Sequence, residues 1–460
     1  MQETQTLATL AQQLRGELIT PGDDAYEEAR RVWNGMFDRR PAAIARVQGA
    51  VDVVAVVNYA RETGTELAVR GGGHSSAGYS TVDGGIVLDL SRMKGVWVDP
   101  EAKVVRAQAG ALWGDVDRET QVHGLAVPGG QISHTGIAGL TLGGGIGWLS
   151  RQYGLTIDNL LSVELVTADG RLVTASASEH ADLFWGLRGG SGNFGVAVSF
   201  EYRLHDVGPL VLGGPLLYEL DNAPAVLRNA RDFFVDAPEE VSLWLVLTHV
   251  PATPPFPQER WGTPVLAVVP FCTDLERGPA LLEPLTAFGN PFTSLHGPIP
   301  YTALQAALDE VDPHGHRYWE RGDYLAGLSD GTIDALVAGA RTASSRLTEI
   351  LVFPMGGAIS RVPADATAFG DRSAPWAVWV ASQWTDPAED AIHRDWTRSF
   401  SASLAPWTTG AVYVNAIGGD VTEARKLAAY GGPSKYKRLR ELKRTWDPEN
   451  LFHLNHNIAP

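Results

Sequence analysis

Residues 70–80, RGGGHSSAGYS, place three consecutive glycines directly before a histidine and two serines. The apolar residues just before them, within ELAV at 66–69, predict a short buried strand that ends where the glycines begin. Glycine adopts positive φ without steric cost and leaves the backbone open, so such a loop can turn several N–H groups toward one anion. A pyrophosphate would suit this loop. An ordinary turn after a strand is the alternative interpretation.

The composition indicates a globular protein with more than one domain. The chain has 460 residues, of which 44% are hydrophobic and 20% charged, so large cores are possible and disorder is not indicated. A net charge of −16 argues against nucleic acid and anionic membranes as partners. The single cysteine, Cys272, excludes a disulfide framework within one chain. We find neither a signal-peptide pattern nor a membrane-spanning apolar run, so we expect a cytoplasmic protein.

The hydrophobic pattern changes near residue 208, which predicts a domain boundary. Before it, short β-rich runs alternate with helical patterns, and after it prolines and long apolar runs such as 241–250 and 264–271 predict a second sheet, with TEILVFPMGG and PWAVWVASQW as further strands. The elements predicted for the first part are strands at Leu67–Arg70, Gly85–Leu90, Val104–Ala107, Ser162–Thr167, Leu172–Ala175 and Val196–Tyr202, and helices at Val51–Thr63, Leu112–His123 and His180–Gly186.

Two further glycine clusters follow the first. PGGQISHTGIAGLTLGGGIGW at 128–148 has Ile and Leu between its small residues, which favours a backbone lying flat against a large planar ligand over a series of tight turns. RGGSGNFGV at 188–196 contains the pattern GxGxxG, but a helical pattern precedes it and a strand pattern follows. This order is the reverse of the dinucleotide fingerprint, so a Rossmann domain that binds nicotinamide is disfavoured.

Two other motifs have simple structural interpretations. GLSDG at 327–331 matches the nucleophile elbow of hydrolases, but no strand leads into it, and Ser329 is better explained as the cap of the helix that follows. His453 and His456 could share a metal, yet no carboxylate pattern accompanies them. We interpret both as structural histidines and expect no metal.

The order of these motifs resembles the FAD-linked oxidases of the vanillyl-alcohol oxidase superfamily, and within it the berberine-bridge-enzyme-like group. RGGGH, DGGIVLDLS, the 128–148 cluster, DLFWGLRGGSGNFGV and a terminal YVN…NHNIAP carry the resemblance, which covers almost the whole chain. It implies an α+β fold with a PCMH-type FAD-binding domain of two α/β subdomains at 1–207. A substrate-binding domain with an antiparallel sheet covered by helices follows at 208–408, and a C-terminal segment at 409–460 returns to the FAD-binding domain.

The resemblance implies FAD as the cofactor, linked covalently through His74 alone. The cysteine that makes a second link in many relatives is replaced by Ile132, and Cys272 lies in the other domain. A neutral imidazole is a suitable nucleophile near pH 7. The implied FAD contacts are Val69, Arg70, Gly71, Gly72, Gly73, His74, Ser75, Gly78, Tyr79, Pro128, Gly129, Gly130, Thr135, Gly136, Gly139, Leu142, Gly143, Gly144, Gly145, Gly147, Trp148, Tyr153, Gly154, Asp158, Asn159, Val163, Val196, Tyr413, Asn415, Asn455 and Asn457.

Four residues are candidates for catalysis. Tyr413 and Asn415 alternate on one face of a predicted strand and match a family motif that returns to the flavin, although Ala416 stands where a second tyrosine is common. Glu349 is the lone acid of an apolar strand, pointing with Leu351 and Phe353, where burial would raise its pKa and suit it to remove a proton. A solvent-exposed charge on an edge strand is the alternative. By the resemblance, Thr135 lines the place where dioxygen meets the reduced flavin.

The implied activity is that of an oxidase. Its partners are a small-molecule substrate, dehydrogenated at C–OH or C–N, and dioxygen, reduced to hydrogen peroxide. An oxygenase on the same fold is the alternative, supported by Thr135 and the adjacent His134, and a degenerate binding module is a third possibility. Aromatic residues of the second domain suggest an apolar or aromatic substrate but could equally form core; they are Trp244, Tyr318, Trp319, Tyr324 and Trp384.

Overall fold

A computed structural model describes residues 6–460, and two sheets form the first part of the chain. Its strands are β1 Glu17–Ile19, β2 Ala43–Arg46, β3 Leu67–Arg70, β4 Ile86–Asp89, β5 Val96–Asp99, β6 Val104–Gln108, β7 Leu125–Ala126, β8 Leu160–Val166, β9 Leu172–Ser176, β10 Val196–Arg203 and β11 His205–Asp206. Its helices are α1 Leu7–Gln13, α2 Tyr26–Ala29, α3 Ala50–Thr63, α4 Trp113–Gln121, α5 Ile137–Gly143, α6 Ser150–Tyr153 and α7 Ala181–Leu187.

The two sheets differ in strand direction. The first has the order β1-β2-β4-β3, with β2, β4 and β3 parallel, so the chain crosses from β2 to β3 through α3. The second has the order β5-β6-β10-β8-β9 and is antiparallel throughout. The six strands and three helices predicted for this part are all present, because each follows from a strong local hydrophobic pattern. One large core lies between the sheets and helices, and a smaller cluster that includes Ile44 and Val87 covers the other face of the first sheet.

The second part of the chain is built on one ten-stranded sheet. Its strands are β12 Leu210–Gly213, β13 Leu216–Glu219, β14 Val241–His249, β15 Pro264–Cys272, β16 Thr293–Ser294, β17 Gly297–Pro300, β18 Arg317–Leu325, β19 Glu349–Pro354, β20 Trp376–Trp384 and β21 Thr408–Ile417. The helices are α8 Ala223–Phe233, α9 Gly278–Thr286, α10 Tyr301–Gln305, α11 Asp330–Arg341, α12 Ala358–Arg361, α13 Asp390–Ser403, α14 Glu423–Ala429 and α15 Pro433–Trp446.

The two faces of the large sheet bury different partners. The main path runs β16-β13-β15-β14-β19-β20-β18-β21, and all of its pairings are antiparallel. Along β19, Ile350 and Val352 face a core closed by helices such as α8, α11 and α13, whereas Leu351 and Phe353 belong to a core shared with the first part of the chain. The predicted α+β fold, with an antiparallel sheet covered by helices, is therefore confirmed.

The C-terminal segment serves both parts of the molecule. Its first strand, β21, pairs with β18 at the end of the large sheet, which satisfies backbone hydrogen-bonding groups along that edge. The same strand already contacts α5 of the first part, and the chain then returns further: α15 contacts α7, and the Asn455 side-chain amide donates to the Gly192 carbonyl at 3.1 Å. The predicted boundary between residues 408 and 409 thus falls at the start of β21. The limits of the three predicted domains stay a prediction.

Two other expectations can be compared with this fold. Ser329 caps α11, since its Oγ accepts a hydrogen bond from the Thr332 amide at 3.1 Å, as the structural interpretation of the GxSxG motif predicts. The expectation that no strand leads into this motif is wrong, because β18 ends at Leu325, two residues before it. Between residues 6 and 460 no helix combines the length and the apolar character that crossing a bilayer requires.

Candidate active site

A cavity of about 340 Å³ lies where the glycine loops meet the open face of the large sheet. Its walls come from the loop after β3, the loop before α5 together with α5 itself, strands β18 to β21, and the C-terminal tail. Most glycine-loop residues predicted as FAD contacts are brought together here. The predicted residues that line it are Val69, Gly71, Gly72, Gly73, His74, Ser75, Tyr79, Gly130, Thr135, Gly136, Gly139, Leu142, Val196, Glu349, Tyr413, Asn415 and Asn455.

Two of the glycine loops cross in direct backbone contact. A Cβ on Gly72 would lie 2.4 Å from the backbone nitrogen of Gly136, and a Cβ on Gly136 would lie 2.3 Å from that of Gly72. Neither position can therefore carry a side chain without separating the loops. Gly73 follows with φ of +74°, a conformation that side chains rarely allow. These glycines are required by the loop geometry at the end of β3.

His74 sits in a cluster of aromatic rings at the cavity wall. Its ring stacks on Trp33, with centroids 4.8 Å apart, and Trp33 in turn stacks on Tyr318 at 3.8 Å. His74 Nε2 and His134 Nδ1 share a hydrogen bond of 2.7 Å, so Nδ1 is the nitrogen of His74 left available. Sequence reasoning did not find Trp33, which lies 41 residues before the histidine it holds.

The histidine cluster is neutral near pH 7. Burial lowers the pKa of His74 well below its ordinary value, and the nearby His134 and His314 lower it further. Burial also lowers the pKa values of His134 and His314. A neutral imidazole keeps a lone pair, so His74 can act as a nucleophile. Ring nitrogens of these three histidines lie within 4.8 Å of one another, a spacing that could also hold a transition metal.

Tyr413 and Asn415 face the cavity from β21, as the predicted alternation requires. The Tyr413 hydroxyl oxygen accepts hydrogen bonds from the Gly145 amide at 3.1 Å and from Asn415 Nδ2 at 3.0 Å. Burial nevertheless raises the pKa of Tyr413 to about 12, because desolvation outweighs these donors. At neutral pH the side chain is therefore a phenol that can orient a ligand, and its phenolate form is scarce.

Glu349 lies on an internal strand of the large sheet. Strand β19 pairs with β14 on one side and β20 on the other, so the alternative of an exposed charge on an edge strand is wrong. Its side chain shares the cavity face with Leu351, because both belong to one face of the pleat. Burial raises the pKa of Glu349 to about 7. A carboxyl group with this pKa can take up and release a proton near physiological pH.

Two acids on the same wall were missed by the sequence analysis. Glu320 on β18 is 8% exposed, and burial raises its pKa to about 7, although the side chains of Ser76 and Trp379 oppose the change. Burial also raises the pKa of Asp312, with the neighbouring Glu320 contributing. The signal for Glu320 was available, since it lies among aromatic residues in RYWERGDYL much as Glu349 lies among apolar ones.

Fifteen residues predicted to contact FAD lie outside the cavity wall, and several of them have structural contacts instead. Asp158 forms a buried ion pair with Arg372, and Asn159 Oδ1 bonds to the His205 ring at 2.6 Å. Arg70 pairs with Asp89 at 2.9 Å. The full set is Arg70, Gly78, Pro128, Gly129, Gly143, Gly144, Gly145, Gly147, Trp148, Tyr153, Gly154, Asp158, Asn159, Val163 and Asn457. They shape the loops behind the wall.

The aromatic residues of the second domain belong to cores or strand packing and do not line the cavity. The ring of Trp244 stacks on that of Phe353, with centroids 4.2 Å apart, and Trp384 donates its indole N–H to Asp390 at 2.8 Å. All five are at most 5% exposed, namely Trp244, Tyr318, Trp319, Tyr324 and Trp384. The core interpretation of these residues is therefore correct, and they carry no information about the substrate.

The cavity fits FAD by its unfilled hydrogen-bonding capacity and by its shape. Asn455 Oδ1 and His456 Nδ1 are buried without a partner anywhere in residues 6–460, and both residues line the cavity. The interpretation of His456 as a satisfied histidine therefore holds only in part, since its ring bonds to the Ile417 backbone while Nδ1 has no partner. A Cβ built on Gly139 or Gly192 would meet nothing within 4 Å, although both line the wall. These open backbone surfaces and unpaired groups are what a large polar ligand requires.

Comparisons with known proteins agree with this site. Residues 41–176 match the family described as FAD binding domain, and residues 412–459 match the family described as berberine and berberine like. The chain is 31% identical to (R)-6-hydroxynicotine oxidase of Paenarthrobacter nicotinovorans, covering 97% of each chain. The crystal structure of 6-hydroxy-D-nicotine oxidase from Arthrobacter nicotinovorans superposes with a TM-score of 0.88 at 27% identity, covering 99% of this chain and 100% of that one.

An oligosaccharide oxidase of known structure shares the fold. Xylooligosaccharide oxidase from Myceliophthora thermophila, determined with xylobiose, superposes with a TM-score of 0.83 at 23% identity, covering 98% of this chain and 99% of that one. Its likeness concerns the fold alone.

Proposed function

The chain belongs to the FAD-linked oxidoreductases of the berberine-bridge-enzyme-like family, and we propose that it is a covalent flavoprotein oxidase. It would dehydrogenate a small organic molecule at a C–OH or C–N bond, with dioxygen as the final acceptor and hydrogen peroxide as the product. The observation that carries this proposal is one cavity with His74 and the glycine loops on one wall and Glu349 and Tyr413 on the large sheet.

Backbone groups of the glycine loops would hold the cofactor. The residues that line the cavity include no lysine or arginine in the described part of the chain, so the charge of a pyrophosphate would be met by N–H groups rather than by cationic side chains. Gly72 and Gly136 bring two such loops together, and Asn455 and His456 supply unpaired polar atoms beside them.

His74 would carry the covalent link through Nδ1. Trp33 and His134 hold the ring from two directions, one by stacking and the other by the hydrogen bond to Nε2. When Nε2–H donates to His134 Nδ1, the neutral ring keeps its lone pair on Nδ1, which is then the nucleophilic atom. A second flavin link through a cysteine is not expected. The residue on the cavity wall at position 132 is Ile132, and Cys272 is buried in the core beneath the helices.

When bound, FAD supplies the hydride acceptor and the route for electrons to dioxygen. The chain itself would bind the substrate against the sheet and move its proton. Glu349 is the group for proton removal, because its pKa of about 7 leaves a large ionised fraction at neutral pH. Tyr413 would orient the substrate through its hydroxyl, held in place by Gly145 and Asn415.

Dioxygen would approach beside Thr135. This residue lines the cavity from the loop before α5, and its small branched side chain leaves space for a diatomic gas. The alternative function is an oxygenase on the same scaffold, in which the Thr135 hydroxyl would act as a hydrogen-bond donor. His134 in the same loop gives that alternative its second polar group.

Acid precipitation of the purified protein tests the covalent link. We expect the flavin colour to remain with the precipitate, one flavin adduct on the peptide that contains His74, and none on the peptide with Ile132. His74→Ala should release the colour into the supernatant, whereas the exposed His123→Ala should not. Release of flavin from the unmodified protein would refute the link, and absence of flavin altogether would favour a binding module.

Product analysis tests the reaction type. The holoenzyme is supplied with matched alcohols and amines under labelled dioxygen. An oxidase forms one hydrogen peroxide per substrate oxidised and leaves the product free of label. Incorporation of label into the product, with less than one peroxide per turnover, would favour the oxygenase.

A further inference from the structure

We propose that the substrate is an amine that binds as its ammonium cation between Glu320 and Glu349, and that the bond oxidised is therefore C–N. This inference deepens the proposed oxidase function and rests on it. It identifies Glu320 as a specificity-determining residue, which neither the motifs nor the family resemblance had indicated.

The register of the large sheet places the two glutamates symmetrically. Glu320 on β18 lies opposite Ala381 on β20, and Glu349 on β19 lies opposite the same Ala381 from the other side. Residues in register across neighbouring strands project from one face, so both carboxylates point into the cavity. Two strand spacings separate their Cα atoms by roughly 10 Å. The single methyl group of Ala381 leaves the space between them open.

The carboxyl groups on this wall have no cationic partner from the protein. Glu320, Glu349 and Asp312 are the only carboxylates lining the cavity in the described part of the chain, and none of the three takes part in an ion pair there. The arginines nearest in sequence are engaged elsewhere: Arg321 pairs with Asp420, and Arg317 pairs with Asp390 at 2.5 Å. Buried carboxylates normally have a partner.

A cationic ligand would complete this arrangement. Glu320 is buried to more than nine-tenths, and the side chains of Ser76, Trp379 and Asp312 lie near its carboxyl group beside the cavity. An ammonium group presents several N–H donors on one centre, so it can bond to both carboxylates together. An anionic substrate would be repelled by the same wall, and a neutral alcohol would leave the charge unmatched.

The reaction then balances with the proposed chemistry. The ammonium group gives one N–H proton to the Glu349 carboxylate, which restores the nitrogen lone pair. The adjacent C–H bond breaks as hydride is transferred to FAD, and a C=N⁺ bond forms in the substrate. The two electrons pass to dioxygen, which takes up two protons to form hydrogen peroxide. Water hydrolyses the iminium product to a carbonyl compound and an amine after release.

Matched amine and alcohol pairs test the proposal by binding. The holoenzyme is titrated at pH 7.5 with benzylamine and benzyl alcohol, 3-phenylpropylamine and 3-phenylpropanol, and tryptamine and tryptophol, following the visible flavin spectrum. We expect at least one amine to bind at least about tenfold more tightly than its alcohol. Glu320→Gln should reduce that preference by about 10- to 100-fold, the usual loss for a charge-assisted hydrogen bond, without weakening alcohol binding.

Glu119→Gln, at an exposed position of α4, is the control for charge and should preserve the preference. Retention of covalent flavin shows that each variant is folded. Equal or tighter binding of every alcohol, binding of no amine, or an unchanged preference in Glu320→Gln would overturn the proposal. Peroxide formed from alcohols alone would leave the oxidase function standing while this inference fails. Selective amine binding without peroxide from any substrate would support this inference while the oxidase function fails.

Discussion

Replacing Glu349 by glutamine should stabilise the protein in alkaline solution and have a smaller effect in mild acid. Burial raises the pKa of this carboxyl from 4.5 to about 7, so the folded state favours its neutral form. That contribution to stability is complete below pH 4.5 and is lost as the pH rises through 7. At about 1.4 kcal/mol per pH unit the whole effect is about 3 kcal/mol, of which about 2 kcal/mol develops between pH 5.5 and 9.

Glutamine has nearly the same shape and cannot ionise, so it keeps the neutral state at every pH. The unfolding temperatures of the unmodified protein and of Glu349→Gln are compared at pH 5.5 and 9 by tryptophan fluorescence. Because 1 kcal/mol moves the transition of a domain of about 200 residues by about 2–4 °C, the variant should gain on the order of 4–8 °C between these conditions.

Buried acids that do not interact with Glu349 titrate identically in both proteins and cancel in this comparison. Asp312, whose pKa is raised by burial and in part by Glu349, loses that repulsion in the variant, which adds to the expected gain. Glu119→Gln provides the baseline, because an exposed carboxyl gains nothing from neutralisation. A difference between the unmodified protein and Glu349→Gln that stays constant across the pH range would show that the carboxyl is solvated. The assignment of Glu349 as the group for proton removal would then lose its basis.

Three further changes test the site. Gly72→Ala should lower the ratio of flavin to protein and destabilise the fold by about 1–3 kcal/mol, because its Cβ would lie 2.4 Å from the facing loop; Gly22→Ala, at an exposed position that meets nothing within 4 Å, should change neither value. His134→Phe should leave FAD bound but reduce the fraction that survives acid, since the ring of His74 loses its hydrogen bond, and an unchanged covalent fraction would argue against this positioning role. Thr135→Leu should slow reoxidation of the reduced enzyme in stopped flow while Thr135→Val stays within a few-fold; equal rates in all three proteins would place the path of dioxygen elsewhere.

The sequence was sufficient wherever a local pattern has one structural outcome. The strand that ends at Arg70, the helix at Ala50–Thr63 and the strand with Glu349 each follow from hydrophobic periodicity. The glycine run after Arg70 likewise predicted a loop with its backbone open to a ligand, and Gly71, Gly72 and Gly73 do line the cavity, whereas the contact of Gly72 with Gly136 was not predicted. The combination of such motifs in one order was enough to indicate the family.

Glycine patterns could not separate ligand contact from packing. Gly139 lies open at the cavity wall, whereas a Cβ on Gly147 would lie 2.1 Å from the Gly129 carbonyl oxygen, behind the wall. Both positions sit in the same glycine-rich stretch and show the same local pattern. Which of them meets the cofactor depends on how the loop folds over its neighbours, and that depends on residues far away in the chain.

Only the tertiary structure decided which charged and aromatic groups share the cavity. His74 and His134 are 60 residues apart, and the ring of Trp33 reaches His74 from a third segment. Glu320 and Glu349 become a pair only because β18 and β19 flank β20 in register at Ala381. Strand order and register are set by the summed packing of the whole sheet, in which each local sequence contributes little, so such juxtapositions cannot be derived from either segment alone.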